Sequence, residues 1–217
     1  EMNKKEIALI LASMMIFTTF TCLTVCAEDP NSDDSKKECT LMAPNSKKTI
    51  YLIDEGGKEV FNWNVEGHFM AAYLLENGNL IHSRSSPLLV CMFGGVTGII
   101  EIVNKNSKVI WEFEHASENS FIHHDFEVLP NGNILMIASE KKTKQEAINN
   151  GKNPNEINQF GLYPTKIIEV NQKKEIVWEW HAWDHMIQDF DSSKKNYGQV
   201  KNHPELIDIN YHNGFNN

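Results

Sequence analysis

The stretch that decides the fold runs from residue 167 to residue 180. It consists of Ile167-Ile168-Glu169-Val170, the polar turn Asn171-Gln172-Lys173, and then Ile176-Val177-Trp178-Glu179-Trp180. Residues two apart in a strand point to the same face of a sheet, so the two tryptophans share a face. β-Branched residues on both sides of a short polar turn are typical of a β-hairpin. We therefore predict a hairpin whose second strand ends in an aromatic-x-aromatic pattern.

The same hairpin pattern occurs twice earlier in the chain. It ends in Phe61-Asn62-Trp63 in the first copy and in Trp111-Glu112-Phe113 in the second. A second kind of hairpin alternates with it and turns at the dipeptides Asn77-Gly78 and Asn131-Gly132. Asn-Gly favours a two-residue hairpin turn. Two hairpins make four strands per repeat, which is the blade of a β-propeller.

We therefore predict an all-β fold in which residues 49–217 form about three four-stranded blades of an incomplete β-propeller. The alternative is a β-sandwich, whose strands recur at similar spacing. Propellers close with roughly four to eight blades, so we expect the complete ring to need more chain than this sequence contains. Two polar insertions, Glu140–Gln159 and Asp184–Asn202, interrupt the repeats. They are either functional loops or solvated excursions, and the first has room for a short helix near Thr143–Ile148.

The N-terminal segment has the features of an export signal. The basic pair Lys4-Lys5 precedes an apolar run from Ile7 to Ala27, which ends in Val25-Cys26-Ala27. These features predict a signal peptide at residues 1–27 that is cleaved from a periplasmic, cell-surface or secreted protein. A retained membrane anchor and a lipoprotein are the alternatives, since the run is long enough to cross a bilayer. Residues 28–48 are mostly polar, and we predict a disordered linker there.

Charge and cysteine content argue against several classes of function. The net charge of −9 disfavours nucleic-acid binding, which requires a basic face. Outside the signal peptide, Cys39 and Cys91 remain. An oxidising compartment would allow them to pair, but Cys39 lies in the predicted linker and we predict no structural bridge. The spacing of cysteines and histidines matches no zinc site, and the sequence contains no phosphate-binding loop, dinucleotide fingerprint or serine-hydrolase elbow.

Histidines are the residues best suited to carry chemistry. His123-His124-Asp125 precedes the second Asn-Gly turn, and His181-Ala182-Trp183-Asp184-His185 follows the third aromatic hairpin. Side chains at such strand ends could converge on the central channel of a propeller. Three interpretations stay open: local structural hydrogen bonds, a metal site in either group, and acid–base or nucleophilic chemistry by imidazoles. In the last case the adjacent carboxylate of Asp125 would fix a tautomer and raise the imidazole pKa.

These motifs resemble the bacterial arylsulfotransferase (aryl-sulfate sulfotransferase) family. The stretch from His123 to Asn133 is similar to its His-His-Asp…Leu-Pro-Asn-Gly-Asn strand, and the stretch from Glu169 to His185 to its Trp-x-Trp…Trp-Asp-His segment. His203-Pro204-Glu205-Leu206-Ile207-Asp208 is similar to the stretch that follows. The resemblance implies a six-bladed propeller in the periplasm or on the cell surface. It also implies sulfuryl transfer from an aryl sulfate to a phenol through a transiently sulfated histidine, with no nucleotide donor and no cofactor.

The resemblance also implies roles for individual residues. The His-His-Asp motif would supply a histidine that contacts the sulfuryl group, with His124 as the first candidate and His123 as the second. Strand alternation predicts that only one of the two lines the channel. Asp125, His181 and His185 are further candidates for the channel.

The remaining parts of the family's site are not found in this sequence. The His-x-Asn-Ser motif, the Ser-Arg segment and the nucleophilic histidine of the family all lie downstream of its Trp-Asp-His segment. We therefore expect the full-length protein to be a sulfotransferase and this chain alone to be inactive. The alternative is a secreted propeller that serves as a binding or scaffold module without catalysis.

Overall fold

The computed structural model describes residues 38–44, 47–88 and 94–211. These residues form mainly antiparallel β-sheets, which confirms the predicted all-β class. The first sheet contains β1 (Cys39–Met42), β2 (Thr49–Asp54) and β3 (Glu59–Asn64). The second contains β4 (Ala72–Leu74), β5 (Leu80–Ser85), β6 (Gly98–Val103) and β7 (Val109–Glu114). The third contains β8 (Ser120–Val128), β9 (Ile134–Glu140), β10 (Thr165–Val170) and β11 (Ile176–His181). A short parallel pair joins β12 (Met186–Ile187) to β13 (Ile207–Asp208).

Each four-stranded sheet combines one hairpin of each predicted kind. Strands β4–β5 and β8–β9 are the Asn-Gly hairpins, and β6–β7 and β10–β11 are the aromatic hairpins that follow them. The strands lie in the sheet in the order in which they occur in the chain. The predicted repeat of two hairpins and four strands is therefore confirmed.

The aromatic-x-aromatic pattern places both rings on one face of the first hairpin. The ring centroids of Phe61 and Trp63 lie 4.6 Å apart in an edge-to-face arrangement. Trp63 is only 2% exposed and lies opposite the fully buried Ile50 of β2. In the third hairpin, by contrast, Trp178 is 37% exposed. The pattern sets the face of the strand, whereas burial depends on what packs against that face.

The Asn-Gly turns differ from the predicted two-residue form. Leu75 N–H donates to the Asn79 carbonyl at 2.8 Å, which leaves three residues in the loop. Gly78 has a φ of 78°, whereas Asn77 does not have a positive φ. A two-residue type I′ turn needs positive φ at both central residues, so the prediction is wrong in turn type. The Asn131-Gly132 turn has the same pattern of hydrogen bonds and the same positive φ at its glycine.

The predicted disordered linker at residues 28–48 is wrong over β1. This strand pairs with β2 in antiparallel register, with Cys39 opposite Asp54. Cys39 is 9% exposed and belongs to a buried cluster that includes Ile50. A four-residue strand within a polar segment is too short to produce a clear pattern. The predicted signal peptide at residues 1–27 and Cys91 lie outside the described residues, so the export signal and the cysteine pairing stay predictions.

The first insertion contains the predicted short helix, α1 (Lys144–Asn149). It begins at Thr143, whose hydroxyl accepts the Glu146 N–H at 3.2 Å. The Glu146 carboxylate in turn accepts the Thr143 N–H at 2.7 Å, which completes a capping box. Single turns of 3₁₀ helix occur at Pro154–Glu156 and Val200–Asn202 within the insertions, and at Ala182–His185 where the second insertion begins.

The described chain divides into two compact units. The first comprises residues 38–44, 47–84 and 100–112, and its core contains Ile50, Leu52, Trp63, Phe69, Leu74, Leu80 and Val103. The second comprises residues 85–88, 94–99 and 113–211 and includes both insertions. Its fully buried side chains include Phe126, Ile122, Ile134, Met136 and Ile168. No helix in the part of the chain that the structure describes is long and apolar enough to span a bilayer.

Candidate functional site

Strand β8 loses its register with β9 at the His-His-Asp motif. Ile122 lies opposite Ala138, and pairing resumes only where Phe126 lies opposite Met136. Three residues of β8 therefore face one residue of β9. Such a bulge redirects side chains out of strict alternation, and bulges are common beside active sites.

The backbone at His124 adopts the left-handed conformation, with a φ of 59°. The other non-glycine residues with positive φ in the described chain, Ser107 and Lys174, lie in hairpin turns. A left-handed non-glycine residue within a strand costs conformational energy, and such residues cluster at functional sites. His124 is therefore unusual among the described residues.

A neighbouring segment holds the bulge in place. The His124 N–H donates to the Gly95 carbonyl at 2.7 Å, and the Thr97 N–H donates to the Ile122 carbonyl at 3.1 Å. Val96 forms an antiparallel bridge with His123 between these two bonds. Residues 95–97, which precede β6, thus form backbone hydrogen bonds with the part of β8 that does not pair with β9.

The bulge brings the two imidazoles together. Nδ1 of His123 lies 2.9 Å from Nδ1 of His124, and the two rings are nearly perpendicular, with centroids 5.1 Å apart. Both residues line the same cavity. The unpaired, left-handed backbone breaks the strand alternation on which the prediction of a single channel-lining histidine rested, and the propeller channel itself stays a prediction.

The cavity has a volume of about 650 Å³ and lies within the second compact unit. Its lining is mixed, with aromatic rings beside polar groups. The aromatic members are Phe121, Phe160, Tyr163 and Tyr211. The polar members, besides the histidine pair, are Ser139, Lys152, Asn158, Thr165 and Asp208. A concave, partly aromatic site with a few polar groups suits a small aromatic ligand.

The electrostatics of the cavity keep His123 neutral. Burial and, to a lesser extent, the neighbouring His124 lower the pKa of His123 to about 4, although a hydrogen bond with the Ala138 backbone acts in the opposite direction. The expectation that Asp125 raises an imidazole pKa is therefore wrong for His123. One Asp125 carboxylate oxygen accepts the Phe126 N–H at 2.8 Å, and Asp125 is not among the residues that line the cavity.

His181 and His185 lie outside this cavity, at the end of β11. Nδ1 of His181 is 3.2 Å from a carboxylate oxygen of Glu140, and the His185 ring stacks on Trp180 with centroids 5.0 Å apart. Asp184, between them in the chain, is exposed. Neither histidine is among the residues that line the cavity with the His123–His124 pair. The described residues also contain no cluster of three or more histidine, cysteine, aspartate or glutamate side chains able to hold a metal ion.

Comparison with known proteins agrees with the motifs. Residues 24–210 match the family model described as Arylsulfotransferase (ASST). The chain belongs to the arylsulfotransferase family. No curated protein matches it significantly. A solved structure that resembles it is the crystal structure of a protein of unknown function from Bacteroides caccae, with 14% identity and a TM-score of 0.41. The match covers 65% of this chain and 39% of that one, so the chain corresponds to less than half the length of that protein.

The cavity also contains residues that the sequence patterns did not single out. Lys152 lies in the first insertion, whose many lysines and asparagines hide any single functional residue. Tyr163 follows the same insertion, and its ring lies 6.0 Å from that of Phe121. One signal was available, since long insertions in compact domains are often functional. It identified the segment but not the residue.

Proposed function

We propose that this chain is part of a β-propeller enzyme that moves a sulfuryl group from an aryl sulfate to a phenol without a nucleotide donor. The observation that carries the proposal is the pair of imidazoles at the β8 bulge, which both line a partly aromatic cavity. The family supplies the reaction class, and the aromatic lining suits an aryl ligand. The two successive four-stranded sheets support the propeller, since each has the strand order of a blade.

The contact between the imidazoles restricts their protons. A hydrogen bond between two Nδ1 atoms needs one donor and one acceptor. A hydrogen bond with a backbone group that raises the pKa of His123 is one that the ring donates to a carbonyl. A neutral ring has one N–H, so we assign the His123 N–H to Ala138 and leave Nδ1 of His123 as the acceptor.

His124 then donates its Nδ1–H to His123, which leaves Nε2 of His124 for a ligand. Donation from Nδ1 of His124 to His123 does not depend on whether Nε2 carries a proton, because Nδ1–H is present both in this neutral tautomer and in the imidazolium. A protonated Nε2 would donate to a sulfuryl oxygen and balance negative charge that develops in the transition state. We therefore propose that His124 contacts the sulfuryl group and that His123 positions its ring.

The transfer itself has two balanced steps. In the first, a histidine nitrogen forms an N–S bond while the S–O bond of the aryl sulfate breaks, and the departing phenolate takes up a proton. In the second, the acceptor phenol attacks sulfur and loses its proton while the N–S bond breaks. The resemblance assigns the nucleophile to a histidine downstream of the Trp-Asp-His segment, so His124 has a contact role in this scheme.

The test is transfer of sulfate from 4-nitrophenyl sulfate to phenol by the full-length protein. We expect His124→Ala to reduce turnover by about 100-fold or more, in the range typical of a lost catalytic donor. His203→Ala is the matched control, because the His203 side chain is 44% exposed, pairs with the neighbouring Glu205 and does not line the cavity. Circular dichroism checks that each variant keeps its fold.

Two outcomes would contradict the proposal. Absence of transfer by the wild-type protein with any aryl sulfate would favour the binding-module alternative. Equal turnover of His124→Ala and His203→Ala would show that the histidine pair is not part of the site. The proposed reaction class would still stand.

A further inference from the structure

Lys152 is a buried lysine in the wall of the cavity. Its side chain is only 2% exposed, whereas lysine is among the residues least often buried in proteins. A carboxylate oxygen of Glu156 lies 4.0 Å from its Nζ, at the limit of an ion pair, and the Glu156 side chain is itself 29% exposed. Burial of an ammonium group is costly unless it is well paired, so the position of Lys152 needs an explanation.

The backbone of Lys152 is fixed by the end of helix α1. The Lys152 N–H donates to the Ala147 carbonyl at 2.9 Å, and the Gly151 N–H donates to the Ile148 carbonyl at 3.0 Å. This is a Schellman motif, which needs a left-handed residue, and Gly151 supplies it with a φ of 83°. The residue after that glycine leaves the helix in a defined direction.

The second insertion and Asn210, which follows it, also contact this turn. Asn196 donates its side-chain amide to the Asn150 carbonyl at 2.9 Å, and Asn210 donates its own to the Gly151 carbonyl at 2.9 Å. The Asn210 side-chain oxygen also accepts the Asn153 N–H at 2.8 Å. The fully buried Gln188 packs so close to Gly151 that a β-carbon there would lie 2.5 Å from its side chain. Both insertions and Asn210 therefore hold Lys152 in its buried position.

We propose that Lys152 is a cationic group that binds the sulfuryl oxygens of the donor in this cavity. The inference rests on the proposed function and adds a specificity-determining residue to it. The ammonium group offers up to three donors, which suits the oxygens of a tetrahedral anion. Among the described residues that line the cavity, the one carboxylate is Asp208, and one of its oxygens already accepts the Asn210 N–H at 2.8 Å. An anion that enters the cavity would therefore meet Lys152 and the two imidazoles.

The test combines a kinetic and a binding measurement on the full-length protein. We expect Lys152→Met to raise the KM for 4-nitrophenyl sulfate by about 10- to 100-fold, the range for a lost charged hydrogen bond, while Lys152→Arg retains most of the affinity. The binding measurement is the rise in melting temperature on addition of sodium sulfate, relative to sodium chloride at the same ionic strength. Lys152→Met should lose this rise. Lys201→Met removes an exposed lysine of the second insertion and should leave both measurements unchanged.

Each outcome separates this inference from the proposed function. If the wild-type protein transfers no sulfate but Lys152→Met still loses the sulfate-dependent stabilisation, the anion site stands and the proposed reaction is wrong. If transfer occurs and Lys152→Met behaves like Lys201→Met in both measurements, the inference is overturned. Should Lys152→Met fail to fold, a selenate-soaked crystal of the wild-type protein gives the answer. An anomalous peak beside Nζ of Lys152 supports the site, and a cavity without that peak refutes it.

Discussion

The imidazole of His124 occupies the space that a β-carbon of residue 95 would need. An added β-carbon at Gly95 would lie within 2.8 Å of Cδ2 of His124 and closer still to Cε1 and Nε2. Gly95 also has a φ of 79° and accepts the His124 N–H through its carbonyl. The glycine is therefore required twice, once by its backbone conformation and once by the ring that packs on it.

Gly95→Ala should displace the His124 ring and reduce sulfate transfer by the full-length protein. We expect a loss of stability of about 1–2 kcal/mol from the left-handed alanine and a further loss of about 1–3 kcal/mol from overpacking. Gly57→Ala is the matched control, because Gly57 has a φ of 78° and nothing lies within 4 Å of its added β-carbon. Urea denaturation and turnover of both variants check the prediction. Equal losses in the two variants would show that the ring contact has no effect.

Acid should destabilise the protein through two histidines that are held neutral. Burial is the main cause that lowers the pKa of His123 to about 4. The pKa of His115 is also lowered to about 4, by burial and by the charge of Lys166, whereas the charge of Glu179 acts in the opposite direction. In the unfolded chain both would titrate near 6.5, so the unfolded state binds more protons between pH 6.5 and pH 4. The free energy of unfolding therefore falls as pH decreases through this window, by up to about 3 kcal/mol for each histidine.

Urea denaturation between pH 7 and pH 4 measures this effect. His115→Gln and His123→Gln should each remove part of the pH dependence, and the double variant should remove most of it in this window. His203→Gln is the control, because its side chain is 44% exposed. An unchanged slope in the double variant would mean that other groups cause the acid sensitivity.

Sequence periodicity predicted the strands but could not predict the site geometry. The aromatic-x-aromatic and Asn-Gly patterns are local, since each hairpin pairs residues close in the chain, and they located five hairpins correctly. The bulge at His123 and His124 depends instead on pairing with Gly95 and Val96, almost thirty residues earlier. The position of Lys152 likewise depends on hydrogen bonds from Asn196 of the second insertion and from Asn210, which follows it. Such non-local pairings leave no periodic signal in the sequence.

Breaking an ion-pair network in the first compact unit should be strongly destabilising. Arg84 of β5 donates to Glu101 of β6 at 2.5 Å and to Glu112 of β7 at 3.0 Å, and Nε2 of His82 lies 3.3 Å from the Glu101 carboxylate. Burial raises the pKa of Glu101, but hydrogen bonds from His82 and Arg84 and the charge of Arg84 outweigh it and hold the pKa at about 2. The ionised Glu101 carboxylate therefore stabilises the folded state above pH 4.5, and this stabilisation is lost as pH falls from 4.5 towards 2.

Arg84→Met should lower the free energy of unfolding by about 3 kcal/mol, because it leaves the Glu101 carboxylate buried without its guanidinium partner. Glu112→Gln removes the outer carboxylate of the network, whose side chain is 42% exposed, and should cost less than about 1 kcal/mol. Urea denaturation at pH 7 compares the two. Similar losses in both variants would indicate that burial of Glu101 carries no special cost.

The turn between β10 and β11 offers a stabilising substitution. Lys174 has a φ of 69°, and its N–H donates to the Asn171 carbonyl at 2.9 Å. The equivalent position in the β2–β3 turn is Gly57, with a φ of 78°, where the N–H donates to Asp54 in the same way. A left-handed lysine costs about 1–2 kcal/mol relative to a residue without a β-carbon, and the greater entropy of an unfolded glycine offsets part of the gain. We expect Lys174→Gly to raise the free energy of unfolding by about 0.5–1 kcal/mol.

Two related variants show whether the conformation of Lys174 is the cause. Lys173→Gly changes the neighbouring residue, which has no positive φ, and should be neutral or destabilising. Ser107→Gly makes the same change in the β6–β7 turn, where φ is 58°, but it also removes the hydroxyl that accepts the Asn64 N–H at 2.9 Å. Its gain should therefore be smaller than that of Lys174→Gly. Urea denaturation ranks the three variants, and a Lys174→Gly protein no more stable than Lys173→Gly would show that the left-handed turn stores no recoverable strain.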